Sequence, residues 1–134
     1  MWDSILTLIG RFHPIIIHLP IGFIIIGLLI ELNRGKFKEA KNILKFIFSW
    51  GTISCVLSII SGYFQYLQEG LLWQSIDGHF YAGIITLLLT FGFYQYLKDK
   101  KFFNYLPREF YTIGLVLTIT ITGHLGGQIT HGDE

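Results

Sequence analysis

The chain has 134 residues, 51% hydrophobic and only 14% charged, with a formal net charge of +1 and a mean hydropathy of +0.53. A soluble domain carries roughly 25% charged residues, so this composition argues against one and points to a lipid-facing surface. Near-neutral charge without a large Lys/Arg cluster argues against a phosphate-tracking nucleic-acid groove, and the lone Cys55 excludes an internal disulfide and a C-x-x-C-H site for covalent haem.

Met1-Trp2-Asp3 carries no basic leader region, so a cleaved signal peptide is not expected. In residues 2–12 (WDSILTLIGRF), Ile5, Leu6, Ile9 and Phe12 fall at near-helical spacing, which predicts a short interfacial segment anchored by Trp2. Gly10 and Arg11 mark a turn. A first span follows over residues 14–32, with Pro14 at its first position, where the missing N–H costs nothing, and Pro20 early enough to be tolerated with a kink. Asn33-Arg34-Gly35 ends it, and a polar, basic stretch runs from Lys36 to Lys45.

The second span, 46–68, holds no formal charge. Its Gly51, Ser54, Ser58 and Gly62 recur every three or four residues, a close helix-packing stripe, and Tyr63 and Tyr66 suit an interfacial end. Residues 69–78 (EGLLWQSIDG) read as a loop with Leu71, Leu72 and Trp73 dipping into the interface. A third span over 79–97, a basic aromatic loop from Lys98 to Pro107 and a fourth span over 110–130 complete the chain, with Gly123, Gly126 and Gly127 crowding the last span's end. The expected fold is all-α: a single integral-membrane domain, 1–134, forming a four-helix up-down-up-down bundle.

The loops after spans one and three, with their flanks, carry nine of the ten basic residues; Arg11 alone lies on the other side. The positive-inside rule then places those loops in the cytoplasm and both termini in the periplasm, in a bacterial inner membrane. On that topology His13, His18, His79, His124 and His131 all lie at the outer side. Chance would put five on one chosen side about one time in thirty, so the clustering is the main functional signal. Ionisable groups at a span mark function by default.

Neutral imidazoles ligate transition metals and haem iron. The absence of accompanying Met or Cys ligands disfavours Cu(I). No H-E-x-x-H pair supports a zincin, and no Glu-x-x-His motif supports a di-iron centre. A b-type haem needs two axial imidazoles and room for a flat macrocycle. Gly22 stands four residues after His18, Gly83 four after His79 and Gly127 three after His124, spacings that share a helix face and let a ring approach bare backbone. Phe12, Phe80 and Tyr81 are candidate pocket walls. His18 and His124 lie at matching depths, each about one turn inside its span at ~1.5 Å per residue, and are expected to be the axial pair, with His79 the next candidate. His13 and His18 stand about 140° apart on a helix, so both cannot face one way. A second haem or metal on His79 with His13 or His131 is the weaker arrangement. Cys55 reads as core.

The blocks GRFHPIIIHLPIGF and GHLGGQITHG, with His79-Phe80 between them, resemble an uncharacterised four-helix bacterial membrane domain family often fused ahead of planctomycete-type cytochrome c domains. The resemblance covers nearly the whole chain and implies electron transfer near a periplasmic c-type cytochrome, with His13, His18, His79, His124 and His131 at the matching positions. This chain carries no cytochrome c domain, so such a partner is a separate polypeptide. The expected function is a membrane b-type haem subunit relaying electrons at the periplasmic face, between quinol and a c-type cytochrome, at most an electron-transfer part of an oxidoreductase. The alternatives are a cofactor-free anchoring subunit of a larger complex and a non-haem metal-binding or transport protein.

Overall fold

The computed structural model describes residues 1–131. Those residues are helical almost throughout and form no strand: α1 (Trp2–Arg11), α2 (His13–Ile16), α3 (His18–Leu32), α4 (Ala40–Glu69), α5 (Trp73–Leu97) and α6 (Arg108–His131), with 3-10 turns at Arg34–Lys36 and Lys101–Tyr105. Four stretches are long and apolar enough to cross a membrane: His13–Leu32, Ala40–Glu69, Trp73–Leu97 and Arg108–Ile129.

Two of these run beyond the expected spans. Helix α4 begins at Ala40 rather than residue 46, because Lys41 and Lys45 end an apolar run without breaking a helix. Helix α5 begins at Trp73, so residues 73–78 are helical rather than loop, and the true connection is three residues long. There Gly70 takes a left-handed φ of 63° to end α4, a conformation that costs glycine little. His79 therefore sits about 9 Å inside its helix at ~1.5 Å per residue, not at its opening.

The expected kink near Pro20 is present as the break between α2 and α3 at Ile17. Pro20 has no N–H for the carbonyl of Ile16, and the Ser58 hydroxyl of α4 lies 3.4 Å from that carbonyl. Helix α1 docks on the far end of α4: Gly10 is buried with its Cα against the Gln65 backbone, where a Cβ would stand 3.1 Å away, and the Thr7 hydroxyl bonds Gln68 at 2.9 Å.

Consecutive helices pack along their length, α3 on α4, α4 on α5 and α5 on α6, whereas α3 meets α6 only sparsely. The side chains are arranged inside out relative to a water-soluble bundle. Leu29, Leu88, Ile113 and Leu117 face outward, while Ser54, Ser58, Ser61, Thr86 and Thr90 are buried. The apolar core gathers toward the helix ends that carry the basic loops: Leu44, Phe48, Phe93, Leu97, Tyr111 and Leu115, with Cys55 and Ile24 nearer the middle. Phe48 and Phe93 meet edge to face at 4.8 Å between ring centres.

The same end is locked by charge. Glu31 is 3% exposed and accepts from three sides: Arg108 Nη2 at 2.6 Å, Arg108 Nε, and Arg34 Nη1 at 2.6 Å. The two-pronged Arg108 contact joins α3 to α6 where their apolar packing is thin, and the guanidinium also stacks over Phe93 and Tyr96. A bidentate guanidinium–carboxylate pair is among the stronger polar contacts available.

Candidate functional site

At the opposite end the helices enclose a cavity of about 520 Å³, within the range of small-molecule and cofactor sites. Its walls are mostly apolar, with Ile17, Ile21, Ile59, Ile76, Ile119 and Ile129 supplying much of the surface. Two imidazoles enter it, His13 from α2 and His79 from α5.

Both rings are oriented by hydrogen bonds. His79 Nδ1 lies 3.0 Å from the carbonyl oxygen of Thr122. A carbonyl only accepts, so His79 carries its proton on Nδ1 and Nε2 keeps a free lone pair. His13 Nδ1 lies 2.8 Å from Ser61 Oγ. That hydroxyl also lies 3.0 Å from the Ser58 carbonyl; when it donates there, its oxygen accepts from His13 Nδ1–H. Nδ1–H held by the protein, with Nε2 left as the donor atom, is the arrangement that ligating histidines adopt.

Two glycines make this possible. A Cβ on Gly62 would stand 2.9 Å from His13 Cε1, and one on Gly126 the same 2.9 Å from His79 Cε1. Each imidazole thus packs its Cε1 edge against bare backbone of a neighbouring helix. At Gly126 the effect is specific, since the ring crosses that residue to reach the carbonyl four positions earlier. Gly83, Gly123 and Gly127 also line the cavity, with open space where a Cβ would project.

The remaining sequence candidates fall elsewhere. The expected axial pair, His18 and His124, is exposed on both sides, and neither residue lines the cavity. With His13 turned toward α4, His18 must point away, about 140° around the helix; its Nδ1–H turns back to the Pro14 carbonyl. Gly22 lies on that outward side and is also absent from the lining. The side chain of His131 lies outside the described residues. Of the candidate aromatics, Phe80 lines the cavity, whereas Phe12 and Tyr81 are exposed. Trp73 bridges Tyr66 and Phe80 at ring-centre distances of 5.8 and 5.2 Å, an aromatic group beside the cavity.

Ser61 and Thr122 were not among the sequence candidates; Ser61 stands beside Gly62, the last member of the small-residue run expected on the second span. Glu69, expected in a loop, closes α4 and is part of the cavity wall. Comparison with protein-family models, curated proteins and solved structures finds no match to this chain. The site's chemistry must therefore be read from its own geometry. Among the described residues no three His, Cys, Asp or Glu side chains converge to hold a metal ion. Among the described residues, the donors lining the cavity are two imidazoles and the Cys55 thiol, with hydroxyls and the Glu69 carboxylate.

Proposed function

We propose that the chain is a membrane-embedded b-type haem subunit that relays electrons at the outer face of a bacterial inner membrane. The outward leucines and isoleucines support immersion in lipid, where helices alone satisfy their own backbone. The basic loops support a cytoplasmic placement of the end locked by Glu31, leaving the termini and the histidine cavity at the periplasmic end of an up-down-up-down bundle. One observation carries the haem reading: two histidines hydrogen-bonded through Nδ1 line one cavity, each with its Nε2 uncommitted.

Among the described residues no three His, Cys, Asp or Glu side chains converge, fewer than the four protein ligands of a structural zinc site. Two imidazoles suffice for an iron whose equatorial positions are filled by a porphyrin. The residues fit such a group. His13 and His79 would hold it, Gly83, Gly123 and Gly127 leave flat walls, and the isoleucines keep water out. When bound, haem supplies one-electron transfer, and the protein tunes it through axial ligands and their hydrogen bonds. Ser61 and Thr122 hold the imidazole protons at Nδ1 and so orient both rings. Glu69, which lines the cavity, would be the carboxylate to take a proton from a quinol donor. The expected electron acceptor is a c-type cytochrome, as the resemblance of the histidine blocks implies.

The test is a visible spectrum of the detergent-purified protein from haem-replete cells, before and after dithionite. A Soret band with sharp reduced α and β bands is expected, lost in His13→Ala and His79→Ala and retained in His18→Ala. A colourless, folded preparation would overturn the haem reading and favour an anchoring subunit. Loss of the spectrum in His18→Ala and His124→Ala, but not in His13→Ala, would overturn the assignment of ligands.

A further inference from the structure

A second cavity, of about 540 Å³, lies at the opposite end of the molecule. Its lining includes Arg34, Lys41, Arg108 and Asn104, with Asp99 as the one carboxylate among the described residues. The cations are only partly committed. Arg34 gives one nitrogen, Nη1, to Glu31, Arg108 gives Nε and Nη2, and Lys41 gives one bond to Asp99 at 2.6 Å. Counting buried Glu31 behind the wall, three fixed cations face two carboxylates, so a net positive charge remains. Ala40, the first residue of the 30-residue helix α4, also lines the space, which brings the positive end of that helix dipole to the cavity.

We propose that this cavity binds a phosphoryl anion, supplied by the headgroup of an anionic phospholipid. The shared chemistry is a phosphate diester or monoester held by guanidinium, ammonium and amide donors. The choice of lipid over soluble phosphate comes from the neighbouring surface. Phe37, Phe102, Tyr105 and Leu106 are exposed on the segments that flank the cavity, Phe102 and Tyr105 at 76% and 86%. Such residues sit at the headgroup level of a bilayer, and basic pockets between spans on the cytoplasmic side hold anionic headgroups. The inference rests on the membrane reading and is independent of haem.

The test uses full-length protein in detergent, after membrane fractionation with alkaline washing has reported the membrane reading by itself. Native mass spectrometry follows retention of phosphatidylglycerol against phosphatidylcholine, with inorganic phosphate added in a parallel arm. Phosphatidylglycerol is expected to be retained preferentially, and Arg34→Gln/Lys41→Gln to weaken it about 30-fold, from the contribution of two basic residues near an anionic surface. Arg108 is left intact because it holds Glu31. Asn104→Asp, a single exposed change that adds negative charge to the wall, should weaken retention without unfolding the protein. Equal retention of the two lipids, or retention unchanged in both variants, would overturn the proposal. Displacement by inorganic phosphate with no lipid preference would overturn the lipid source.

Discussion

Gly62→Ala isolates the cradle beneath His13. The added Cβ would stand 2.9 Å from Cε1, 3.3 Å from Nε2 and 3.4 Å from Nδ1 of the imidazole, so it presses on a whole ring edge. Relief to ordinary contact requires a ring shift of at least about 0.5 Å, and the ring is tethered to Ser61 at 2.8 Å. Overpacking of this kind costs about 1–3 kcal/mol, and weakening the tether up to about 1 kcal/mol more. Alanine in a helix returns roughly 1 kcal/mol relative to glycine. The net is a destabilisation of up to about 3 kcal/mol, or a Tm lower by up to roughly 10 °C. Thermal unfolding followed by far-UV circular dichroism in detergent measures it. Gly22→Ala is the control: nothing lies within 4 Å of its Cβ position, so it should be neutral or up to about 1 kcal/mol stabilising. A Gly62→Ala protein as stable as Gly22→Ala would refute the tight seating of His13 on α4.

At the other end, Glu31→Gln leaves Arg108 and Arg34 without their carboxylate and should cost about 3 kcal/mol in the same unfolding assay, as removal of one partner of a buried pair does; Arg34→Gln, at the exposed rim, should cost under about 1 kcal/mol. The hydrogen bond and charge of Lys41 hold the exposed Asp99 carboxyl below its ordinary pKa. A depressed carboxylate contributes stability that is present above the ordinary value and lost as pH falls through the depressed one, so Lys41→Gln should raise the Asp99 midpoint in an NMR titration and flatten stability against pH on the acid side. Gly83→Ala has open space at its Cβ, so it should keep the fold while narrowing the cavity, seen as unchanged unfolding with weaker reduced haem bands.

The four apolar helices were legible because lipid-facing surfaces write long uncharged runs, and those runs mark each span near its middle. Their ends were less legible. Lys41 and Lys45 on α4 and Asp77 on α5 look like loop residues by charge, yet a helix end at the membrane surface accommodates them with no loss of backbone bonding. The loop expected over 69–78 shrank to its one true punctuation mark, Gly70, whose positive φ is the local feature that ends α4. The Glu31–Arg108 pair was invisible as a contact, because 77 residues separate its members and only the packing of α6 beside α3 brings them together.

The histidines show why depth alone does not say which of them face the cavity. His18 and His124 match in depth, but depth says nothing about which face of a helix a residue occupies. The faces were written in the small and special residues. On α3 the buried positions are Pro20, Ile24, Gly27 and Glu31; continued back by helical steps of three and four, that stripe reaches His13, while His18, two residues from Pro20, lies about 160° away. On α6 the cavity face runs through Ile119, Thr122, Gly123, Gly126 and Ile129, and His124 stands two residues from both Thr122 and Gly126, again about 160° from each. A buried charged residue such as Glu31 therefore fixes a helix's inward face better than its leucines do, since lipid makes leucine equally content outside. In a bundle in lipid, polar and glycine positions therefore mark the core stripe, and only histidines that fall on it can face an internal cavity.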